Sequence, residues 1–452
     1  MESRLAVVIG PKSGWKPAGR PVRLSPSASL SDLGFLQVAS VLILFLGLLA
    51  GKFSLDRLGF SVDGAFWGNQ VAIWFFVVLG LLSLLRFDIW RLRRPRSAMI
   101  TSYVGSVTFL FLFMVTSLAW SASSQPLVGV MAFQLVLFVG FFLLSPRVFT
   151  PHTGSAIDFF LGLCFWAGLI YAVAGILGVS SPDPQARMAA FGGGPNVFVR
   201  VVGGGALLSL LWWIDTGKLR WLVPLSVTLY AAAFSGSRGG VIAIAAAMGF
   251  LVLKMVRLSR IWRFCLRFAV GGTVLTSALS IAYIYNDRFS RFVDSRYIVL
   301  TSQRLYLSQR DRIFGEVWEI FLNNPLFGIG FDGYAASTDG IRAYPHNFIL
   351  QLAAEGGMIA LFSFLLAASV FLVSFMIQHK SAGTRECALL SLTVLYFVAS
   401  LASGSIYDSR FFWSLVLLFV MSDPRTQISG QQGRMVVLSP SQIPGRRDLA
   451  GK

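Results

Sequence analysis

Residues 221–253 read WLVPLSVTLYAAAFSGSRGGVIAIAAAMGFLVL. This apolar run is interrupted only by SGSRGG at 235–240, and basic residues flank it at Lys218 and Arg220 on one side and from Lys254 onward on the other. Loops rich in Lys and Arg stay on the cytoplasmic side of a membrane, so both flanks lie there and the stretch must be a hairpin. Each arm has about 14 residues, roughly 21 Å of helix, so the turn stops short of the outer surface. Arg238 then sits at the floor of an outward-facing cavity.

The rest of the chain is of the same kind. Of 452 residues 55% are hydrophobic and 13% charged, a balance that no soluble chain of this length could hide from water. The fold expected is all-α and polytopic in the membrane, with one long periplasmic loop. Apolar runs long enough to cross about 30 Å of hydrocarbon fall near 34–51, 71–86, 98–120, 127–145, 158–178, 196–214, 221–235, 239–256, 267–285, 346–377, 387–403 and 408–421. Twelve transmembrane helices put both ends on one side. That side holds 25 of the 38 Lys and Arg and is the cytoplasm, so the net charge of +18 reflects topology and not nucleic-acid binding. Residues 1–30 and 425–452, rich in Pro, Gly, Ser, Gln and Arg, read as disordered cytoplasmic tails around a domain over 31–424. Leu5 to Ile9 is too short for the core of a signal peptide, so the first span is expected to be an uncleaved anchor.

An arginine near hydrocarbon costs up to about 3 kcal/mol and generally faces a bundle interior or a wet cavity. For Arg238 a structural ion pair with Glu355 or Asp408 is one reading. An anion site is the other, favoured by Gly236, Gly239 and Gly240, which leave backbone N–H groups open. The loop 286–345 holds seven arginines (288, 291, 296, 304, 310, 312, 342), no lysine and seven acids. Arginine alone suits bidentate recognition of phosphate, although five of the seven read as surface ion pairs or headgroup contacts. Arg310 and Arg312 stand apart, because they lead an amphipathic helix over 310–322, with Ile313, Phe314, Val317, Trp318 and Phe321, that would lie along the membrane surface. His152 and His379 fall in cytoplasmic loops, which leaves His346, at the start of a long apolar helix, as the one histidine facing outward. No D-x-D or carboxylate cluster indicates a metal in an outer loop, and Cys164, Cys265 and Cys387 are too scattered for a disulfide or zinc site.

Several of these segments carry a resemblance. SGSRGG at 235–240, QRDRIF from Gln309, Asn324-Pro325-Leu326-Phe327-Gly328-Ile329-Gly330, Pro345-His346-Asn347 and Glu355-Gly356-Gly357 follow one another as in the O-antigen ligase/polymerase superfamily. Arg187 to Gly192 with Pro195-Asn196 is similar to that family's "R…F.G..PN" stretch, and together the motifs cover roughly 185–405. QR stands where GR is common, and Phe314 where an aromatic, usually Trp, is expected. The resemblance implies a GT-C-like helical membrane fold in the bacterial inner membrane, with the active site on the periplasmic side. It implies metal-independent, inverting transfer of a glycan from undecaprenyl pyrophosphate to a hydroxyl, with no cofactor. Arg238 and Arg310 match the arginines that bind pyrophosphate, and His346 matches a histidine near the acceptor hydroxyl.

The residues suit that chemistry. Displacing pyrophosphate from an anomeric carbon needs stabilisation of growing negative charge, which fixed guanidinium groups can supply. A histidine base contributes about 10²–10⁴-fold; the alternative for His346 is a helix-start residue tied to backbone. The expected catalytic set is His346, Arg238 and Arg310, with Arg312, Arg187, Asn347 and Glu355 binding substrate. Glu355 has pairing with a cavity arginine as its plainer role, and Asp332 and Asp339 are either sugar contacts or solvated turns. Expected partners are the lipid-linked glycan donor, a glycan or lipid A core acceptor, membrane lipids and a polysaccharide chain-length regulator. A polymerase for O-antigen, capsule or exopolysaccharide is favoured over a ligase. A transporter of lipid-linked sugar is the reading from another class, but the paired repeats and symmetric broken helices it calls for are not visible.

Overall fold

The computed structural model describes residues 33–50, 71–85, 98–123, 126–150, 152–179, 187–191, 194–255, 310–338, 344–379 and 382–423, with scattered positions between 272 and 294. Among them the secondary structure is helical, with no strand. The helices are α1 (Phe35–Ala50), α2 (Val71–Leu85), α3 (Ala98–Thr116), α4 (Pro126–Phe149), α5 (Thr153–Ile176), α6 (Pro195–Thr216), α7 (Leu222–Phe234), α8 (Arg238–Met255), α9 (Arg310–Asn323), α10 (Gly333–Ser337), α11 (Phe348–Gln378), α12 (Thr384–Ser403) and α13 (Arg410–Met421). Seven of the described helices are long and apolar enough to cross a membrane: α3 with its 3₁₀ extension to Trp120, α4, α5, α6, α8, α11 and α12. The chain is a helical membrane protein. Most of the expected ninth span, the two tails and, of the loop 286–345, residues 295–309 and 339–343 with a few positions before them lie outside the described residues. The twelve residues of α13 correspond to about 18 Å, short for a span.

The bundle is held by close approach of small residues and by interlocked aromatics. Without water, helices in a bilayer associate through packing, which favours glycine where backbones meet. A Cβ on Gly168 of α5 would come 2.6 Å from Cα of Gly205 on α6, and one on Gly203 would come 2.8 Å from Ile244 of α8. Trp413 of α13 sits among Tyr103, Phe111 and Phe364, and its carbonyl accepts from the Tyr103 hydroxyl at 3.1 Å. At one end of the bundle Asp158 holds Arg385 through two bonds of 2.6 Å. Arg147, Lys218, Arg220 and Lys254 lie at helix ends on the same side by chain order.

Residues 221–255 do turn back on themselves, but the arms differ from the expected pair. α7 has 13 residues and packs on α5 and α6, whereas α8 has 18 and packs mainly on α12, with little contact between the two arms. The second arm is therefore full length. The glycines around Arg238 are corrected too. Gly236, at φ +62, is the left-handed residue that ends α7. Gly239 would meet Ala402 at 2.5 Å if it carried a Cβ, and Gly240 would collide with Val199. The Gly240 N–H is taken by the Ser237 hydroxyl at 3.3 Å. The glycines are packing contacts and a helix cap, not an open row of N–H groups.

The long helix α11 is not continuous either. Gly357 has φ +61 and ψ −155, which breaks the helix one residue past the Glu355-Gly356 pair. The segment Asn324–Gly330 lies in the break. Met358 N–H donates to the Pro325 carbonyl at 2.8 Å and Ile359 N–H to Leu326 at 3.4 Å, while Ile329 and Gly330 N–H donate to the carbonyls of Ala354 and Glu355 at 2.9 and 3.0 Å. Backbone at membrane depth must find its hydrogen bonds inside the protein, and here a loop supplies what the helix lacks. Gly328 and Gly357 are explained by this fit, and Gly330 by the close approach of the end of α3. A Cβ on Gly357 would lie 2.5 Å from the Leu326 carbonyl oxygen, and one on Gly330 would lie 2.6 Å from that of Ser117.

Candidate functional site

Chain direction brings the ends of α3, α5, α7 and α12 and the starts of α4, α6, α8, α11 and α13 to the end of the bundle opposite Arg385. Helix starts present positive dipole ends, which favour anions. The cross-links at that end are polar and local. Ser237, the residue before α8, donates to Asn196 Oδ1 at 2.7 Å, and Asn196 Nδ2 donates to Ser403 Oγ at 2.5 Å. Asn196 is the second residue of α6, whose first is Pro195, and Ser403 is the last of α12. Three helix ends are thus pinned by one amide. Ser403 also hydrogen-bonds the hydroxyl of Tyr344. Burial pushes that phenol up to about 12, Asp408 adding to the effect and Arg200 opposing it, so Tyr344 is a protonated hydroxyl at neutral pH. The Tyr344 ring carries His346, with centroids 4.6 Å apart.

His346 is exposed and has φ +58, a backbone state that non-glycine residues adopt at a cost of about 1–3 kcal/mol. Buried Pro345 on one side and the start of α11 on the other hold it there. Phe191 and Asp332 share the left-handed conformation, at φ +53 and +61, and both lie at the same end of the bundle. Strained residues collect where geometry is imposed by function.

The expected site residues separate into groups. Arg238 is the first residue of α8, half-buried, and adjoins Ser237 in the polar seam. Arg187 is brought toward it, because the next residue, Met188, donates its N–H to Phe234 at the end of α7 at 3.0 Å. The seam therefore gathers Arg187, Arg238 and His346 at one end. Arg310 begins α9, and its side chain lies outside what is described. Arg312 is exposed and paired with Glu316 at 3.0 Å, the reading given to most arginines of this loop. Glu316 in turn accepts from the Tyr334 hydroxyl at 3.2 Å, tying α9 to α10. On α9, Ile313 and Val317 pack toward α11, while Phe314, Trp318 and Leu322 form an exposed apolar stripe. The amphipathic helix exists as expected, with a second apolar face turned outward.

Two of the expected substrate contacts carry structural roles. Asn347 caps α11, its side-chain oxygen accepting from the N–H groups of Ile349 and Leu350 at 3.0 and 3.2 Å. Glu355 is fully buried under the 324–337 segment and accepts from Gln351 at 2.8 Å; the anticipated arginine partner is not the one found. Gln351 also accepts from the Ile406 N–H at 2.9 Å, so the pair links α11 to the α12–α13 turn. Asp332 is buried and accepts from Ser123 at 2.8 Å; Asp339 and Arg342 lie outside the described residues. His152 and His379 sit at the other end of the bundle, at the start of α5 and the end of α11. Cys164 and Cys387 are buried and free, and Cys265 is outside the described residues.

Reasoning from sequence passed over Arg200, Tyr344 and Ser403. For Arg200 the signal was available, since it is an ionisable residue one turn inside an apolar run with no acid nearby in sequence. Tyr344 and Ser403 have no such mark, because their roles depend on contacts between distant segments.

Residues 223–365 match the family model described as O-Antigen ligase. The match spans the turn at Arg238, α9, the 324–330 segment, His346 and the break in α11, and it indicates O-antigen ligase/polymerase-type function, in keeping with the resemblance of the motifs. No curated protein matches the chain.

Proposed function

We propose that this chain, with an O-antigen ligase family domain over 223–365, is an inverting, metal-independent glycosyltransferase. It takes a glycan from undecaprenyl pyrophosphate at the periplasmic face of the inner membrane and joins it to a sugar hydroxyl. The favoured form is a polymerase for O-antigen, capsule or exopolysaccharide; a ligase acting on lipid A core uses the same donor chemistry. The observation that carries this reading is the single seam Ser237–Asn196–Ser403–Tyr344–His346, which joins the arginine at the start of α8 to a strained, exposed histidine.

In this mechanism Arg238, with Arg187 and Arg310, takes the pyrophosphate, and the guanidinium groups and helix starts offset the charge that grows as the anomeric C–O bond breaks. His346 accepts the proton of the attacking hydroxyl, or orients it. Its exposed ring, braced by Tyr344, meets an acceptor arriving from the aqueous side. The seam lies at the end opposite Arg147, Lys218, Arg220, Lys254 and Arg385, which by the positive-inside rule supports the outer side.

The test is transfer from undecaprenyl-pyrophosphate glycan measured beside donor binding. His346→Ala is expected to lower transfer by about 10²–10⁴-fold and leave donor binding in place. Full transfer without the imidazole eliminates it as base.

A further inference from the structure

We propose that Arg200 is a further cation of the anion site, reaching a phosphoanion from within the bundle. The proposal rests on the pyrophosphate-donor reading and adds a binding residue to it. Arg200 stands one helical turn after Asn196 on α6, on the same face, directly inward of the seam. It is 5% exposed. Its Nη2 donates to the Ala399 carbonyl in the last turns of α12 at 3.3 Å, and its buried Nε has no partner. No acid forms an ion pair with it among the described residues, in contrast to Arg385, which Asp158 holds at both oxygens.

A buried guanidinium with one neutral hydrogen-bond acceptor and no ion-paired acid is unfavourable. The starts of α6 and α8 add positive potential at this end of the bundle, while the end of α12 and Asp408 oppose it. Arg410 is as buried and two of its nitrogens also lack partners, but its charge lies 4.2 Å over the Tyr407 ring. Arg200 has no comparable surface. What would compensate it is a ligand charge, and the fixed fork of a guanidinium with an open Nε edge suits a phosphate oxygen better than a sugar hydroxyl. Arg200 also acts electrostatically on Tyr344, the residue against which His346 rests, so an anion bound there would be registered at the acceptor side of the site.

The experiment is thermal unfolding of the purified full chain in detergent, titrated with inorganic pyrophosphate. Arg200→Met replaces an unpaired charge by an apolar chain of similar length. It is expected to melt about 2 °C or more above the wild type without ligand, and to lose the pyrophosphate-induced shift. Arg200→Lys keeps the charge and is expected to melt near the wild type, with pyrophosphate binding weakened about tenfold or more. An Arg200→Met protein that melts lower, or that keeps the full shift, overturns the proposal. So does a shift lost in Arg238→Lys but kept in both Arg200 variants, which leaves the proposed function standing. A wild type that pyrophosphate does not stabilise overturns both. Phosphatidylglycerol serves as a second probe, and a shift with it that depends on Arg200, in place of one with pyrophosphate, makes the ligand a lipid headgroup and overturns the donor assignment.

Discussion

Gly328→Ala should open the junction between the 324–330 segment and α11. Gly328 has φ +64, and a Cβ there would lie 2.6 Å from the carbonyl oxygens of both Ala354 and Glu355 and nearer still to the Glu355 carbonyl carbon. These are rigid backbone atoms, so the segment must lift. Lifting breaks the bonds from Ile329 to Ala354 and from Gly330 to Glu355. Each is worth about 1 kcal/mol, and the left-handed conformation adds about 1 kcal/mol for alanine, so local opening becomes easier by about 3 kcal/mol. That is about a 100-fold loss of protection at the Ile329 and Gly330 amides in hydrogen exchange. Gly178→Ala is the control, because Gly178 has φ +77 and open space around its Cβ position. It should cost about 1 kcal/mol and leave residues 329 and 330 protected. Unchanged protection in Gly328→Ala, or an equal fall in the control, refutes the idea that the segment completes the helix.

Arg238→Lys should cut transfer strongly at matched protein levels, since lysine keeps the charge but not the bidentate fork; near-normal transfer returns Arg238 to a structural role. Reporter fusions at Asp294 and at Arg425 should show opposite sidedness, and equal sidedness removes the topology and the site with it. Arg385→Ala, which strands Asp158 at the other end of the bundle, should lower stability by about 3 kcal/mol in a denaturation series, while Asp158→Asn in the same background recovers part of the loss. A stability change smaller than that of an exposed pair such as Arg312–Glu316 would contradict it.

Hydropathy made most of the helices legible, because transfer cost is a local sum along the chain. The expected run 196–214 is α6 at Pro195–Thr216, and 71–86 is α2 at Val71–Leu85. The break at Gly357 was hidden for the same reason. Glu355-Gly356-Gly357 does not interrupt the apolar run enough to end a span, and the carbonyls that accept from Met358 and Ile359 come from a segment about thirty residues earlier. At the site, the gathering of Arg187, Arg238 and His346 at one end could be followed from motif order. The Asn347 cap follows from its place just before an apolar run, although the substrate-binding reading was preferred. Glu355 was read as seeking an arginine, because a carboxylate in a membrane helix needs a partner. Sequence does not reveal that its side-chain partner is a glutamine one turn away, which bonds one of its two oxygens.

The interlaced break in α11 also bears on how the protein is assembled. Residues 348–378 enter the membrane as one apolar segment, yet the amides of Met358 and Ile359 have no acceptor within that segment. Left in hydrocarbon, each would cost several kcal/mol. Residues 324–330 are synthesised first, and until they dock the two amides can be satisfied only by the Ala354 and Glu355 carbonyls of a helix continuous through Gly357. The break is therefore made jointly by the two segments, and a chimera that exchanged either alone would leave nothing to hold it open.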